Sequence, residues 1–496
     1  MLEASASNLA DNMSAAPTHS SPAGMDALLH PRTIAVVGAS DDPNRIGGVP
    51  LALMIERGYT GRLIPVNPKY SSVQGLQAYP SLKAAGGEID MAIVAVPADA
   101  LERTLDDAIA ARVKALVIFS SGLAESGDSG RALQERLSSR ALKAGIRLLG
   151  PNCLGLMSFH DKVFATFSPA PRSGESGVGN IAIVSQSGAF GAFAFCLARA
   201  RGLGMSYWMT TGNEADIDFS DCVQWLSNDP ETRVILGYIE GCRNIDKLER
   251  ALKAAWVAGK RVVITKVGRT AIGSIAAAAH TGADTGDDAI YNELFRRHGV
   301  WRASTVEELF TIGYAASACP LPTSPRTGLL TVSGGVGVLM ADEAFSTGLD
   351  LDEMPAAAQK ALLQEVPYAS PRNPVDITGQ TLTTPGLLER TLANMLGTGA
   401  GQAGYAMLLV FPAAALLGST IAGNVVNELI SAHELHPDRP FVVTGLMQPT
   451  YRDALRAAGI LVIDDPSAAV RAMAALAFFS EAERRVRTEG LSPTIA

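Results

Sequence analysis

The segment Ile181-Ala-Ile-Val-Ser-Gln-Ser-Gly-Ala-Phe-Gly191 carries the clearest signal of fold class in this chain. It begins with four apolar residues, most of them β-branched, and such a run predicts a strand buried on both faces, as in parallel sheets covered by helices. The glycine that follows lets the chain turn closely into a helix. Segments 34–40 and 329–338 repeat the pattern, so each of the three predicts the first strand and turn of its own α/β domain.

Two segments rich in Pro, Ser and Gly mark the joints between these units. They span 169–177 and 320–328, and their composition is typical of linkers. We therefore expect a disordered tail over residues 1–23, followed by domains over 24–155, 156–320 and 325–485. The tail lacks an apolar core and any arginine, which argues against a secretory signal or a mitochondrial presequence.

The composition argues against several classes of function. The chain is 47% hydrophobic, has a net charge of −8 and a pI of about 5.5. Neither nucleic acid nor a membrane surface is therefore an expected partner. The longest apolar stretch, 405–417, is interrupted by Pro412, so no transmembrane helix is expected. Five cysteines without a CxxC pair indicate reduced thiols and a cytoplasmic protein.

The first domain invites interpretation as a dinucleotide-binding unit, but its details argue against NAD. The turn after its first strand, 38–48, is not a compact GxGxxG, and its second strand leads to Lys69 where an NAD site prefers an acidic residue. A lysine instead suits a phosphorylated nucleotide. Ligands of such folds bind at the carboxyl ends of the strands, so the segments there should converge on one crevice. The candidate ligand-binding residues in these segments are Gly38, Ala39, Ser40, Asn67, Lys69, Val96, Pro97, Ser121, Gly122, Glu125, Asn152 and Cys153.

Taken together, these segments resemble a known family. Val-Gly-Ala-Ser (37–40), Asn-Pro-Lys (67–69), Val-Pro (96–97), Ser-Gly-Leu-Ala-Glu (121–125) and Gly-Pro-Asn-Cys-Leu-Gly (150–155) resemble the CoA-binding domain of succinyl-CoA synthetase α subunits. They are closer still to the NDP-forming acyl-CoA synthetases. Further matching motifs lie at 185–188, 211–216, 238–241, 280–282, 333–337 and 373–379, in the family's order.

The resemblance covers roughly residues 25–480 and implies a three-part architecture. An N-terminal Rossmann-like CoA-binding domain would be followed by two flavodoxin-like domains of the succinyl-CoA synthetase type, all α/β. It also implies that the strand-end residues named above bind CoA.

The resemblance further implies a phosphohistidine mechanism in which His280 accepts a phosphoryl group and passes it to a carboxylic acid. CoA would then displace phosphate from the resulting acyl phosphate. His280 lies among small residues at 271–286, after a predicted strand at 261–268, and this setting favours a movable loop. Glu240, at the end of another predicted strand, would orient the ring by accepting a hydrogen bond. The alternative for Glu240 is an ordinary surface glutamate.

Two glycine-rich turns open predicted helices and are candidate phosphate sites, because helix N-termini attract anions. Either turn, taken alone, fits tight packing between strand and helix equally well. The residues are Ser185, Gln186, Ser187 and Gly188 in the first turn and Ser333, Gly334, Gly335 and Gly337 in the second.

The chain lacks a nucleotide-binding module of its own after residue 380, and it has no Walker P-loop. We therefore expect a separate ATP-grasp β subunit that holds ATP or ADP (or GTP or GDP) with Mg²⁺. The expected assembly is a hetero-oligomer or a homodimer of this chain. No histidine has partners at metal-ligand spacing, so no metal site is expected in this chain. Alternatives are a non-catalytic CoA- or acyl-CoA-binding scaffold and, less favoured, an NAD oxidoreductase. The sequence does not identify the small carboxylic acid.

Overall fold

The computed structural model describes residues 24–174, 176–281, 285–379, 384–397, 404–418 and 421–491, with only the backbone of 278–281. The predicted tail at 1–23 lies outside this part of the chain. Three sheets of mainly parallel strands form along the sequence, one for each of the three glycine-turn segments.

The first sheet has the order β2-β1-β5-β6-β7, with all strands parallel. Its strands and the nearby β3–β4 hairpin are β1 (Thr33–Val37), β2 (Arg62–Val66), β3 (Ser72–Val73), β4 (Leu76–Gln77), β5 (Met91–Val94), β6 (Ala115–Ile118) and β7 (Arg147–Leu149). The accompanying helices are α1 (Met25–Leu29), α2 (Val49–Glu56), α3 (Leu82–Ala85), α4 (Leu101–Ala110) and α5 (Asp128–Lys143). Val37 pairs with Val66 and Val94, so the turns after these three strands meet at one edge.

The second sheet has the order β14-β13-β12-β10-β11-β8-β9, in which β8 and β9 add an antiparallel extension. Its strands are β8 (Gly155–Ser158), β9 (Val163–Thr166), β10 (Val178–Ser185), β11 (Met205–Thr210), β12 (Val234–Ile239), β13 (Arg261–Lys266) and β14 (Val300–Arg302). Its helices are α6 (Gly188–Ala200), α7 (Phe219–Asn228), α8 (Ile245–Val257), α9 (Ala271–Thr281), α10 (Asp288–Arg297) and α11 (Val306–Ala318).

The third sheet has the order β16-β15-β17-β18-β19, again all parallel. Its strands are β15 (Thr327–Thr331), β16 (Val375–Asp376), β17 (Met407–Phe411), β18 (Phe441–Thr444) and β19 (Leu461–Ile463). Its helices are α12 (Gly334–Thr347), α13 (Ala356–Glu365), α14 (Leu387–Leu396), α15 (Ala422–Glu434), α16 (Pro449–Ala457) and α17 (Pro466–Thr488).

Both faces of the third sheet are covered, as its apolar strands predict. Along β17, Leu408 and Val410 belong to one buried cluster, whereas Met407 and Leu409 belong to a cluster on the opposite face. The core of the second sheet continues into that of the first. The long helix α17 joins the third sheet to the second, where Trp256 Nε1 donates to the carbonyl oxygen of Ala482 at 2.9 Å.

The segment before His280 differs from the prediction. A loop was expected over 271–286, but residues Ala271–Thr281 form helix α9. Alanine has the highest helix propensity of all residues, and the run of alanines at 276–279 outweighs the effect of Gly273. The predicted loop is therefore wrong for this stretch. No helix in the described ranges is long and apolar enough to span a membrane.

Candidate active site

A cavity of about 510 Å³ opens between the carboxyl ends of the first and second sheets. The first sheet contributes Asn152 and Cys153, which follow β7. The second contributes the turn from Gln186 to Ala189, after β10, and Glu240, after β12. Predicted residues from two separate parts of the sequence therefore share one cavity, which lies where ligands of open α/β sheets bind.

The motifs at 150–155 and 211–216 contact each other directly and connect the first and second sheets at this cavity. The amide of Asn213 donates to the carbonyl oxygen of Pro151 at 2.9 Å, and Ala215 donates to Gly150 at 3.0 Å. Gly212 has a φ of +61°, and a Cβ there would lie 2.4 Å from the carbonyl oxygen of Pro151. Only glycine fits such an approach without displacing the neighbouring turn.

The side chain of Asn213 extends this contact to the rim of the cavity. Its amide nitrogen donates to Glu125 and to Gln134, and its oxygen accepts from Asn152 Nδ2 at 3.2 Å. Glu125 also accepts the backbone amides of Gly122 and Leu123. Burial raises the pKa of Glu125, but these hydrogen bonds outweigh it and hold the pKa below its usual value. Glu125 is thus an anchored carboxylate.

The other predicted CoA residues lie along the same edge of the first sheet without lining the cavity. Gly38 has a φ of +83°, and a Cβ there would lie 2.4 Å from the carbonyl oxygen of Ala95. Asn67 Nδ2 donates to the carbonyl oxygen of Ala39 at 2.8 Å and ties the first two turns together. Lys69 is exposed beside them. The remaining members of this set are Ser40, Val96, Pro97, Ser121 and Gly122.

The thiol of Cys153 is unsuited to act as a nucleophile. It is buried, with contacts to the carbonyl oxygens of Ile118 and Leu149. Burial raises its pKa to about 12, so the thiol is protonated at neutral pH. Cys153 therefore contributes to the shape of the cavity wall and not to its chemistry.

The side chain of Gln186 is fully occupied by hydrogen bonds within the protein. Its Nε2 donates to Glu214 Oε2 at 3.0 Å and to the carbonyl oxygen of Gly241 at 2.8 Å. Its Oε1 accepts the amides of Glu240 at 2.6 Å and of Gly241 at 3.2 Å. The carboxamide has two donors and two acceptor positions, and all are filled. Gln186 therefore links three loops rather than offering its side chain to a phosphate.

The N-terminus of α6 points its unpaired amides at the cavity. Gly191 donates the first intrahelical bond, to the carbonyl oxygen of Ser187 at 2.9 Å, so the amides of Gly188 and Ala189 have no acceptor in the helix. Ser187 Oγ accepts from Phe190 N at 3.3 Å and caps the helix. Ser185 is buried and donates its hydroxyl to Ser187 O. The main chain at 187–189 is consequently a candidate anion site.

Glu240 is 5% exposed, and its main chain is bonded to the buried side chain of Lys266. Lys266, at the end of β13, donates its ammonium group to the carbonyl oxygen of Glu240 at 3.0 Å. The same nitrogen lies 4.7 Å from the centroid of the Tyr291 ring. The side chain of His280 lies outside the described residues, so the contact between His280 and Glu240 stays a prediction.

The second predicted phosphate turn lies apart from this cavity. Among the described residues that line the cavity, none belongs to the third sheet. At the start of α12, Ser333 donates its amide to Thr331 Oγ1, and a Cβ on Gly334 would lie 3.2 Å from Asp376 Oδ2. Gly335 has open space around it, and Gly337 N donates to Ser333 O. The turn consists of small residues, and the structure does not bring it together with the first, so its role as a phosphate site stays a prediction.

Comparison with known proteins identifies the family. Residues 32–158 match the family described as CoA binding domain, and residues 178–316 match the succinyl-CoA ligase like flavodoxin domain. The chain is 36% identical over 354 residues to the acetate–CoA ligase [ADP-forming] II subunit alpha of Pyrococcus furiosus, covering 71% of this chain and 76% of that protein. It is 32% identical over 458 residues to the corresponding I subunit alpha of the same organism, covering 91% and 97%.

The chain belongs to the ADP-forming acyl-CoA synthetase family.

A solved structure of this family shares the complete architecture. Dinucleotide forming acetyl-coenzyme A synthetase 1 of Ca. Korarchaeum cryptofilum, in complex with phosphate and ADP, superposes with a TM-score of 0.84 at 31% identity, covering 94% of this chain and 99% of that one. The predicted fold class, a CoA-binding domain followed by flavodoxin-like ligase domains, is confirmed. Membership of this synthetase family supports acyl-CoA formation over the non-catalytic scaffold and over an NAD oxidoreductase.

The cavity is also lined by residues that the sequence analysis did not single out. Glu214 and Arg243 line the cavity, as do the aromatic rings of Phe119 and Phe167, whose centroids are 4.9 Å apart. Arg243 donates to the carbonyl oxygens of Asn213 and Glu214, each at 3.0 Å. Glu214 lies within the motif at 211–216, but nothing in its sequence context separates it from the neighbouring Asp216.

Proposed function

We propose that this chain is the α subunit of an NDP-forming acyl-CoA synthetase that joins a small carboxylic acid to CoA through phosphorylated His280. The observation that carries the proposal is the cavity in which Asn152 and Cys153 of the CoA-binding sheet face the N-terminus of α6 and Glu240. A phosphoryl group held at the α6 amides is stabilised by the helix dipole. CoA bound along the first sheet reaches the same place.

The proposed chemistry has three balanced steps. A nucleoside triphosphate transfers its terminal phosphoryl group to a ring nitrogen of His280, and the diphosphate leaves. A carboxylate oxygen of the acid then attacks that phosphorus, the N–P bond breaks, and an acyl phosphate forms. Finally the CoA thiolate attacks the acyl carbon, and inorganic phosphate leaves with the electrons of the C–O bond.

In this scheme the residues of the chain have distinct tasks. Glu240 accepts a hydrogen bond from one ring nitrogen of His280 and leaves the other free to attack. The turn at 185–188 stabilises the phosphoryl group at the CoA cavity, and the turn at 333–337 provides a second phosphate site. The proposed CoA contacts remain the strand-end residues of the first sheet, with Lys69 against a phosphate of CoA.

The nucleotide and Mg²⁺ are proposed to bind on a separate ATP-grasp β subunit. Two relatives are named as α subunits, which supports a partner. The acetate–CoA ligase [ADP-forming] I of Archaeoglobus fulgidus, by contrast, is a longer chain of which the present alignment covers 51%. We propose that this chain forms a hetero-oligomer with the partner, or a homodimer. The complex would be located in the cytoplasm, where the five free thiols would stay reduced. Domain limits of 24–155, 156–320 and 325–485 are part of the same proposal.

The test is formation of a phosphoprotein. Incubation with an acyl-CoA and radiolabelled inorganic phosphate should label the chain with an acid-labile, base-stable phosphate, and His280→Asn should abolish the label while CoA still binds. Labelling that persists in His280→Asn contradicts the assignment.

His298→Asn is the matched control. His298 is a buried ring in the neighbouring element, and it pairs with Glu249 at 3.1 Å rather than with any residue of the cavity. This variant should label as the unmodified protein does. Loss of label in both variants would point to a general loss of structure, which CoA binding by calorimetry would reveal.

A further inference from the structure

Glu214 lines the cavity, and its carboxylate accepts hydrogen bonds from several neighbouring donors. Its Oε1 accepts the hydroxyl of Thr211 at 2.8 Å and the amide of Phe219 at 3.0 Å. Its Oε2 accepts Nε2 of Gln186 at 3.0 Å. Every one of these contacts uses the carboxylate as an acceptor, which an ionised group does best.

The orientation of Gln186 depends on this carboxylate. Because ionised Glu214 can only accept, it selects the nitrogen of the carboxamide and leaves the oxygen for the opposite side. There the oxygen accepts the backbone amides of Glu240 and Gly241. A donor in place of the Glu214 oxygen would favour the flipped amide, whose nitrogen would then oppose two N–H groups.

We propose that Glu214 is a positioning residue of the acyl-transfer site, which through Gln186 fixes the main chain of Glu240 relative to the N-terminus of α6. The inference rests on the proposed function in so far as Glu240 is taken to orient His280. Glu214 itself touches neither the acid nor His280 in this scheme. Its effect passes through one side chain and two backbone hydrogen bonds.

The surroundings of Glu214 make this contact sensitive to pH. Burial, and next the negative charge of Asp218, raise its pKa to about 7. Several charged groups face this region. Asp218 and Asp221 lie at the start of α7, and Lys247 of α8 bridges the two. The others are Asp216, which pairs with Arg147, and Arg243 and Glu240. Protonation removes one acceptor position from Glu214, so the arrangement should be complete above about pH 7 and weaken below it.

Glu214→Gln tests the inference by changing an acceptor into a donor at nearly constant volume. With acetyl-CoA and labelled phosphate as probes, we expect phosphorylation of the chain to slow by about 10-fold to 100-fold. The KM for CoA compounds should change by less than about threefold, because the predicted CoA residues stay in place. The rise in rate near pH 7 should disappear, since the group that titrates is gone.

A reciprocal variant separates positioning from a general structural role. In Gln186→Glu combined with Glu214→Gln, the carboxylate introduced at position 186 accepts both from the new amide at position 214 and from the backbone amides of Glu240 and Gly241. The bond to the Gly241 carbonyl oxygen is lost and a carboxylate oxygen faces that carbonyl instead, so we expect only partial recovery of the rate. A Glu214→Gln variant as fast as the unmodified chain, or a pH midpoint that survives in it, overturns the inference.

A crystal structure of Glu214→Gln provides a readout that does not depend on catalysis. Rotation of the Gln186 amide away from Glu240 and Gly241 supports the inference, whereas an unchanged arrangement overturns it. If the unmodified chain takes up no phosphate while this rotation is seen, the proposed function fails and the positioning contact stands.

Discussion

The contact between Gly212 and the 150–152 turn allows a sharp test of how the first and second sheets are held together. In Gly212→Ala the new Cβ would lie 2.4 Å from the carbonyl oxygen of Pro151 and 2.5 Å from that of Asn152. Real Cβ atoms essentially never come within 3.0 Å of such a neighbour. The turn that bears Asn152 and Cys153 would therefore have to move by about half an ångström or more.

Two costs combine in this variant. A left-handed backbone costs a residue with a Cβ about 1–2 kcal/mol, and relief of an overpacked contact costs roughly a further 1–3 kcal/mol. We expect the free energy of unfolding to fall by about 2–5 kcal/mol in total. Urea unfolding followed by tryptophan fluorescence is suitable, because Trp208, Trp225, Trp256 and Trp301 all lie in the elements of the second sheet.

Gly202→Ala is the control that isolates the backbone cost. Gly202 has a φ of +68°, and no heavy atom lies within 4 Å of a Cβ placed there. This variant should lose only about 1–2 kcal/mol and bind CoA normally, whereas Gly212→Ala should also bind CoA more weakly. Equal losses of stability in the two variants, with equal CoA affinity, would refute the reasoning from close packing.

The remaining predictions concern the ligands. Lys69→Ala should weaken CoA binding about 3-fold to 10-fold, and it should weaken dephospho-CoA binding less. The control is Lys143→Ala, which lies at the end of α5 on the opposite edge of the sheet and should leave both affinities unchanged. Calorimetry that shows NAD binding without CoA binding would reverse the assignment of the first domain. The chain alone should not ligate acid and CoA with ATP, and addition of an ATP-grasp subunit should allow ADP to discharge the phosphoprotein. ATP-dependent ligation by the purified chain, free of any other subunit, would contradict the proposed division of labour.

The strands and the turns after them could be predicted from local sequence. Runs such as 181–184 are apolar and β-branched, and the residue types that follow them allow few other structures. The fold class and the family follow from these segments and their order. The same reasoning placed Asn152, Gln186 and Glu240 at carboxyl strand ends, where the structure has them.

Other features depend on contacts that local sequence does not contain. Phe119 and Phe167 are apolar residues that fit a core equally well, and only the meeting of two sheets turns them into cavity walls. Gln186 was assigned to phosphate, but its side chain is committed to Glu214, Glu240 and Gly241, which lie 28 to 55 residues away in sequence. The helix at 271–281 was missed because small residues suggest mobility, whereas alanine favours helix.

The parallel strands of the three sheets share one order, in which the first parallel strand of each sheet (β1, β10 and β15) lies between the second and the third. In the second and third sheets this order places the N-terminus of α6 and that of α12 at equivalent points, each directly after the first parallel strand of its sheet. A phosphoryl carrier that left one of these termini for the other would exchange one set of backbone donors for another of the same kind. We expect the two resting places to differ little in free energy, so that the phosphorylated carrier is not trapped at either one and the reaction can run at useful rates in both directions.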